Sequence, residues 1–242
     1  MGTIVTAILI ALVSTIYATA GQAGGTAFLA IMAFMGVQPA ELRPTALALN
    51  VIAAGYATWR AYNHGTVDWR LFRWIAIASL PGAFAGGLLV LEDSLYFTVA
   101  GVVLIMAAVS MVSRKAAITG TQIQVRPVPA AAVGVATGFL SGLTGVGGGV
   151  FLAPILIALA WTSPKGAASL SPPFILVNSI IGLVAVLLAR QRLTPLAGLF
   201  AVLALIGAVA GTWIGLRFMS ERATKWVLAS ILLFVGIRLL LR

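Results

Sequence analysis

The stretch Gly142-Leu143-Thr144-Gly145-Val146-Gly147-Gly148-Gly149 interrupts apolar sequence that would otherwise continue as helix. A glycine in a helix interior costs roughly 1 kcal/mol relative to alanine. Five within eight residues, Gly142 to Gly149, therefore predict a helix end. Roughly 20 apolar residues flank the cluster on each side, which puts the break inside a bilayer, where freed N–H and C=O groups must find partners. A helix beginning there carries about half a positive charge and several unpaired N–H donors, a setting suited to a small anion. A weaker form of the same break occurs earlier, at Gly21-Gln22-Ala23-Gly24-Gly25-Thr26.

Composition decides the environment. With 61% hydrophobic and 8% charged residues in 242, and a mean hydropathy of +1.11, the chain reads as a polytopic membrane protein. Its net charge of +10 comes from short clusters between apolar runs, such as Arg70 and Arg73, Arg114 and Lys115, and Arg190 and Arg192. These are topology signals facing a lipid bilayer, not a surface for nucleic acid. The absence of cysteine excludes disulfides and thiolate metal sites. All five acids (Glu41, Asp68, Glu92, Asp93, Glu221) fall at expected membrane edges, which leaves no carboxylate for a mid-membrane proton relay or sodium cage. His64 lies in a polar loop and is read as solvated. Without a nucleophile-base set, a metal cluster or paired acids at one depth, no enzyme, metal or cofactor is expected.

In chain order, Thr3 to Ala20 is expected as an apolar helix retained in the structure rather than cleaved as a signal, since it has no basic leader. A shorter helix follows from Thr26 to about Gly36, ~16 Å long, about half the hydrocarbon thickness. Gln38 to Pro44 reads as a proline-bounded turn before spans from Thr45 to Trp59, Trp74 to Leu91 and Leu95 to Val112. Residues 117–129 are a polar linker between halves 1–116 and 130–242. The second half replays the first: Ala130 to Leu143, the Gly145 to Gly149 break, a short helix from Val150 to Trp161, then spans Ser171 to Ala189, Leu196 to Leu216 and Lys225 to Leu241. The expected fold is thus an all-α polytopic membrane protein of two homologous repeats, each a glycine-broken re-entrant helix pair plus three spanning helices. Positive charges do not separate parallel from inverted repeats. The ~50 Å helical length of Thr3 to Gly36 exceeds one ~30 Å crossing and favours re-entrant hairpins, hence inversion.

The pattern Gly138-Phe139-Leu140-Ser141-Gly142-Leu143-Thr144-Gly145-Val146-Gly147-Gly148-Gly149, with Pro154, Ala168-Ser169-Leu170-Ser171-Pro172-Pro173-Phe174 and Asn178, resembles the sulfite exporter TauE/SafE family of membrane transporters. Gly24-Gly25, Pro39, Thr45-Ala46-Leu47 and Asn50 match the first copy of the motif, so the resemblance covers the whole chain. The first copy departs from the pattern at Gln22-Ala23, where glycines are expected, and at Leu47, near an expected serine. The resemblance implies secondary transport of a small sulfur-containing anion such as sulfite, thiosulfate or an organosulfonate like sulfoacetate. It implies export, by alternating access, across a bacterial cytoplasmic (inner) membrane. An anion channel or an uptake permease is the alternative, and a homodimer is left open.

The candidate substrate-binding residues follow from the breaks. Gly24, Gly25, Gly147, Gly148 and Gly149 would present backbone N–H groups at the starts of the short helices, where packing alone would need fewer consecutive glycines. Asn50 and Asn178 hold corresponding places in the following spans, and an amide in hydrocarbon is costly unless bonded, either to substrate oxygen or to another helix. Thr45, Ser169 and Ser171 would add hydroxyl donors unless they bond their own helix. Gln22 would replace a donor in the weaker first break. Arg43 and Lys165 follow the short helices and are read chiefly as snorkelling cations.

Overall fold

The computed structural model describes residues 2–89 and 125–240, and residues 98, 102, 105 and 109 between them. Among the described residues every regular element is helical: α1 Gly2–Thr19, α2 Gly25–Phe34, α3 Pro39–Asn63, α4 Trp69–Leu88, α5 Pro127–Thr144, α6 Gly149–Ala158, α7 Pro164–Leu188, α8 Ala197–Phe218 and α9 Glu221–Leu240. Four of them, α4, α5, α7 and α8, are long and apolar enough to cross a membrane; α1, α2 and α6 are shorter apolar helices. Apart from residues 98, 102, 105 and 109, the expected span from Leu95 to Val112 lies outside the described residues, as does most of the expected linker.

Polarity is arranged outside-in. Ile4, Ile8, Leu12 and Ile16 recur every fourth residue on α1 and are all exposed, as are Val202, Ile206, Val209 and Trp213 on α8. Meanwhile Asn50, Asn178, Ser141 and Ser179 are fully buried at 0% exposure. Water would favour the reverse; hydrocarbon around the rim favours this. Trp59, Trp69, Trp74 and Trp226 are exposed near helix ends, where indole rings suit the membrane interface. Asp68 caps α4, accepting from the Arg70 and Leu71 amides at 3.0 Å each.

Two of the sequence boundaries need correction. The proline-bounded segment from Gln38 to Pro44 is not a separate turn, because α3 already starts at Pro39 and carries Pro44 inside it. Proline at a helix's first position sacrifices no bond, since that N–H has no partner anyway. Likewise α7 begins at Pro164 rather than Ser171, so Pro172 and Pro173 lie inside it. The missing proline N–H groups leave the Ala168 and Ser169 carbonyls without their helical donors, and the Ala168 carbonyl sits directly against Gly21.

Small residues set the packing. Gly134, Gly138 and Gly142 of α5 lie against the backbone of Ile75, Ser79 and Ala83 of α4, so these helices run parallel in close contact. Gly207, Gly211 and Gly215 of α8 meet Ala11, Thr15 and Thr19 of α1 in the same way, and Ser14 Oγ donates to the Ala204 carbonyl at 2.7 Å. At the centre α3 and α7 run antiparallel, with Leu47 beside Gly182 and Gly55 beside Leu176. The short helices fold back on the helices before them. Tyr17 and Thr26 share a hydrogen bond of 2.9 Å, and Ile10 packs in one cluster with Phe28 and Met32. Ala130, near the start of α5, shares a cluster with Leu156, near the end of α6.

Candidate substrate site

The short helices α2 and α6 each have 10 residues, and each starts from a left-handed glycine: Gly24 at φ 104° and Gly148 at φ 77°. The left-handed region costs an L-residue with a Cβ about 1–2 kcal/mol. Neither start receives a side-chain cap; the Phe151 amide donates to the Gly148 carbonyl at 3.0 Å, and among the described residues the leading amides of Gly25 and Gly149 are left for another partner. Both starts are buried.

The two breaks abut. A Cβ on Gly25 would stand 2.6 Å from the Val146 carbonyl oxygen and 2.5 Å from Asn50 Nδ2; one on Gly149 would stand 2.8 Å from Gln22 Oε1. Only bare backbone fits between them. Two amides lace the junction: Asn50 Nδ2 donates to the Val146 carbonyl at 3.0 Å, and Gln22 Nε2 donates to the Gly149 carbonyl at 3.4 Å and to Ser171 Oγ at 3.2 Å. Ser171 in turn donates to Ala167 at 2.8 Å. Gly24, Gly25, Gly147, Gly148, Gly149, Gln22, Asn50 and Ser171 are therefore brought together.

The remaining candidates fall elsewhere. Thr45, in the second turn of α3, accepts from the Thr194 amide at 3.1 Å and so ties the α7–α8 connection. Asn178 turns its Nδ2 to the Phe174 carbonyl of its own helix at 2.9 Å. Its neighbour Ser179 reaches the second break instead, with Oγ 2.8 Å from where a Gly147 Cβ would be. Ser169 lines a cavity of about 330 Å³ with Thr19, Gly21, Thr66, Lys165 and Thr212. The cavity's walls also include Pro172, next in sequence to Ser171, as Gly21 is to Gln22.

Two contributors escaped the sequence reading, and one residue it named takes a different role. Ser141 and Ser179 are buried hydroxyls beside Gly148 and Gly147. Their signal was an isolated small polar residue in an apolar run, which is also the signal of a hydroxyl bonded to its own helix. Arg43 does not snorkel. It is half-buried and donates to the carbonyls of Gly142 at 2.8 Å, Leu89 at 3.1 Å and Gly87 at 3.4 Å, at the C-terminal ends of α4 and α5. Those ends have carbonyls with no helical partner, a ready acceptor set for a cation.

A site of uncapped helix starts, amides and hydroxyls, buried within apolar helices, has the chemistry of ligand recognition in a membrane. A family model described as sulfite exporter TauE/SafE matches residues 6–239. The chain belongs to the TauE/SafE family. It is 33% identical over 228 residues to the probable membrane transporter protein y4hK of Sinorhizobium fredii, covering 93% of this chain and 92% of that one. It is 28% identical over 209 residues to a probable membrane transporter protein of Methanocaldococcus jannaschii, with 81% and 78% covered. With the probable membrane transporter protein YjnA of Bacillus subtilis the identity is 26% over 242 residues, covering 90% and 92%. No solved structure matches the chain. Family and apolar outer surface agree: this TauE/SafE member is an integral membrane protein of a transporter family.

Proposed function

We propose that this TauE/SafE member is a secondary transporter that exports a small sulfur-containing anion, such as sulfite, thiosulfate or an organosulfonate like sulfoacetate, across the cytoplasmic membrane. The observation that carries the reading is the meeting of two uncapped helix starts at Gly24 and Gly148 inside a buried junction. Each start offers N–H donors and about half a positive charge, which a small oxyanion satisfies without a buried cation.

The architecture behind this reading is a pair of inverted repeats, 1–116 and 130–242. It is supported by matched helix lengths, with 18 residues in α1 and α5, 10 in α2 and α6, and 25 in α3 and α7. Left-handed residues recur in corresponding turns, Gly21 with Gly145, Gly36 with Ala160, and Gly65 with Arg190. Helix pairing is unchanged when the halves are exchanged, since α4 packs on α5 as α8 packs on α1. Alternating access is supported by an asymmetry: the cavity opens beside Gly21 and Ala168, whereas at the corresponding contact, beside Gly145, the side chain of Arg43 fills the space.

The test is sulfite counterflow in liposomes containing the purified chain. Saturable uptake driven by internal sulfite, and lost in Gly148→Leu, is the expected result. Flux that neither saturates nor shows counterflow would point to a channel, and absence of sulfur-anion flux would overturn the reading.

A further inference from the structure

The polar groups at the junction do not match a ligand that only accepts hydrogen bonds. Each of the two buried amides there has its orientation set by a backbone carbonyl, which can only accept: Val146 for Asn50 and Gly149 for Gln22. The nitrogen must face the carbonyl, so the oxygen faces away. Asn50 Oδ1 and Gln22 Oε1 find no hydrogen-bond partner among the described residues, and both residues are at most 2% exposed. Buried acceptors left in this condition are expensive, and more so among apolar helices.

Among the described residues nothing supplies them a donor, and a bound ligand can. A bare cation is a poor occupant. The junction contains no carboxylate among the described residues, and the two helix starts already place partial positive charge there. Resting on the oxyanion reading above, we propose that the transported anion carries its own O–H or N–H hydrogen. The helix starts hold its charged oxygens, and the amide oxygens of Gln22 and Asn50 receive its hydrogen. The Ser141 and Ser179 hydroxyls, also without partners among the described residues, adjust to either role. The favoured class is the singly charged, protonated form of a divalent oxyanion, or a sulfonate with a hydroxyl or amino substituent. Fully deprotonated oxyanions and plain alkylsulfonates leave the amide oxygens unpaired and are disfavoured, which narrows the anions named above to hydrogen sulfite and substituted sulfonates at the expense of thiosulfate and sulfoacetate.

The experiment compares binding of 2-hydroxyethanesulfonate and propane-1-sulfonate to the purified full-length chain by calorimetry. The two ligands have the same shape and differ in an O–H against a methyl. The hydroxylated ligand is expected to bind about tenfold tighter or more. Gln22→Met and Asn50→Leu, each close in volume to the original, are expected to bring the two affinities together. Equal binding in the unmodified protein would mean that ordered water satisfies the amide oxygens, and it would overturn this proposal while leaving the oxyanion reading intact. A preference that survives in both variants also overturns it. If neither ligand nor hydrogen sulfite binds, the oxyanion reading falls and this proposal with it.

Discussion

At Gly148 a single residue answers to two constraints. Its φ of 77° belongs to the left-handed region, and a Cβ there would lie 2.8 Å from the Phe174 ring and 2.9 Å from Ser141 Cβ. Gly36 shares the backbone constraint, at φ 79°, but has nothing within 4 Å of its Cβ position. Comparing the two separates strain from crowding. Gly36→Ala is expected to cost about 1–2 kcal/mol of stability and leave transport near normal. Gly148→Ala adds displacement of Ser141 and Phe174, for about 1–3 kcal/mol more. Its sulfite counterflow should fall by more than the stability loss alone accounts for. Thermal unfolding in detergent, paired with counterflow, measures both, and equal losses in the two variants would sink the argument that the break is shaped around its contents.

On the alternating-access proposal, helices are the scale at which the molecule would open and close. The glycine-lined pairs α4/α5 and α1/α8 press backbone on backbone, leaving few side chains free to rearrange, so each pair should move as one body. Arg43 joins α3 to the ends of α4 and α5 through three carbonyls. Charge-assisted bonds contribute about 1.5–3 kcal/mol where shielded and less where water competes. Thr144 is buried and lies beside Gly145, whose Cβ position is 3.3 Å from the Arg43 side chain. With no native cysteine, a Thr144→Cys variant reports access cleanly. Adding Arg43→Ala is expected to raise its labelling by a small aqueous thiol reagent about tenfold, as the population shifts toward opening on that side. Unchanged labelling would show that helix packing seals this end without the arginine.

Across the whole molecule, the exposed His64 follows α3, whereas the exposed Arg192 follows the antiparallel α7 and lies against the start of α3, its amide donating to the Ala40 carbonyl at 3.4 Å. If the repeats are inverted, His64→Cys and Arg192→Cys should be labelled by an impermeant reagent from opposite faces of the membrane; labelling from one face would refute inversion.

The linear chain was enough to establish helices, lipid and two breaks. Hydrophobic run length reports burial in hydrocarbon, and clustered glycines report where helix propensity fails; both are local properties. The starts at Pro39 and Pro164 differ from the sequence expectation because a proline at a helix's first position costs no hydrogen bond, and Pro44 and Pro172 lie inside their helices because a proline stops a helix only when its surroundings cannot accommodate the freed carbonyl, which sequence does not reveal. What folding alone decided is which partner each polar group finds. Thr45 was drawn away to Thr194, Asn178 turned to its own helix, Gln22 crossed to Gly149, and Arg43 found the ends of two other helices. Hydrogen bonds between residues about a hundred or more positions apart depend on how helices pack, and in a chain this apolar the few polar side chains take whichever donor or acceptor the packing brings within reach.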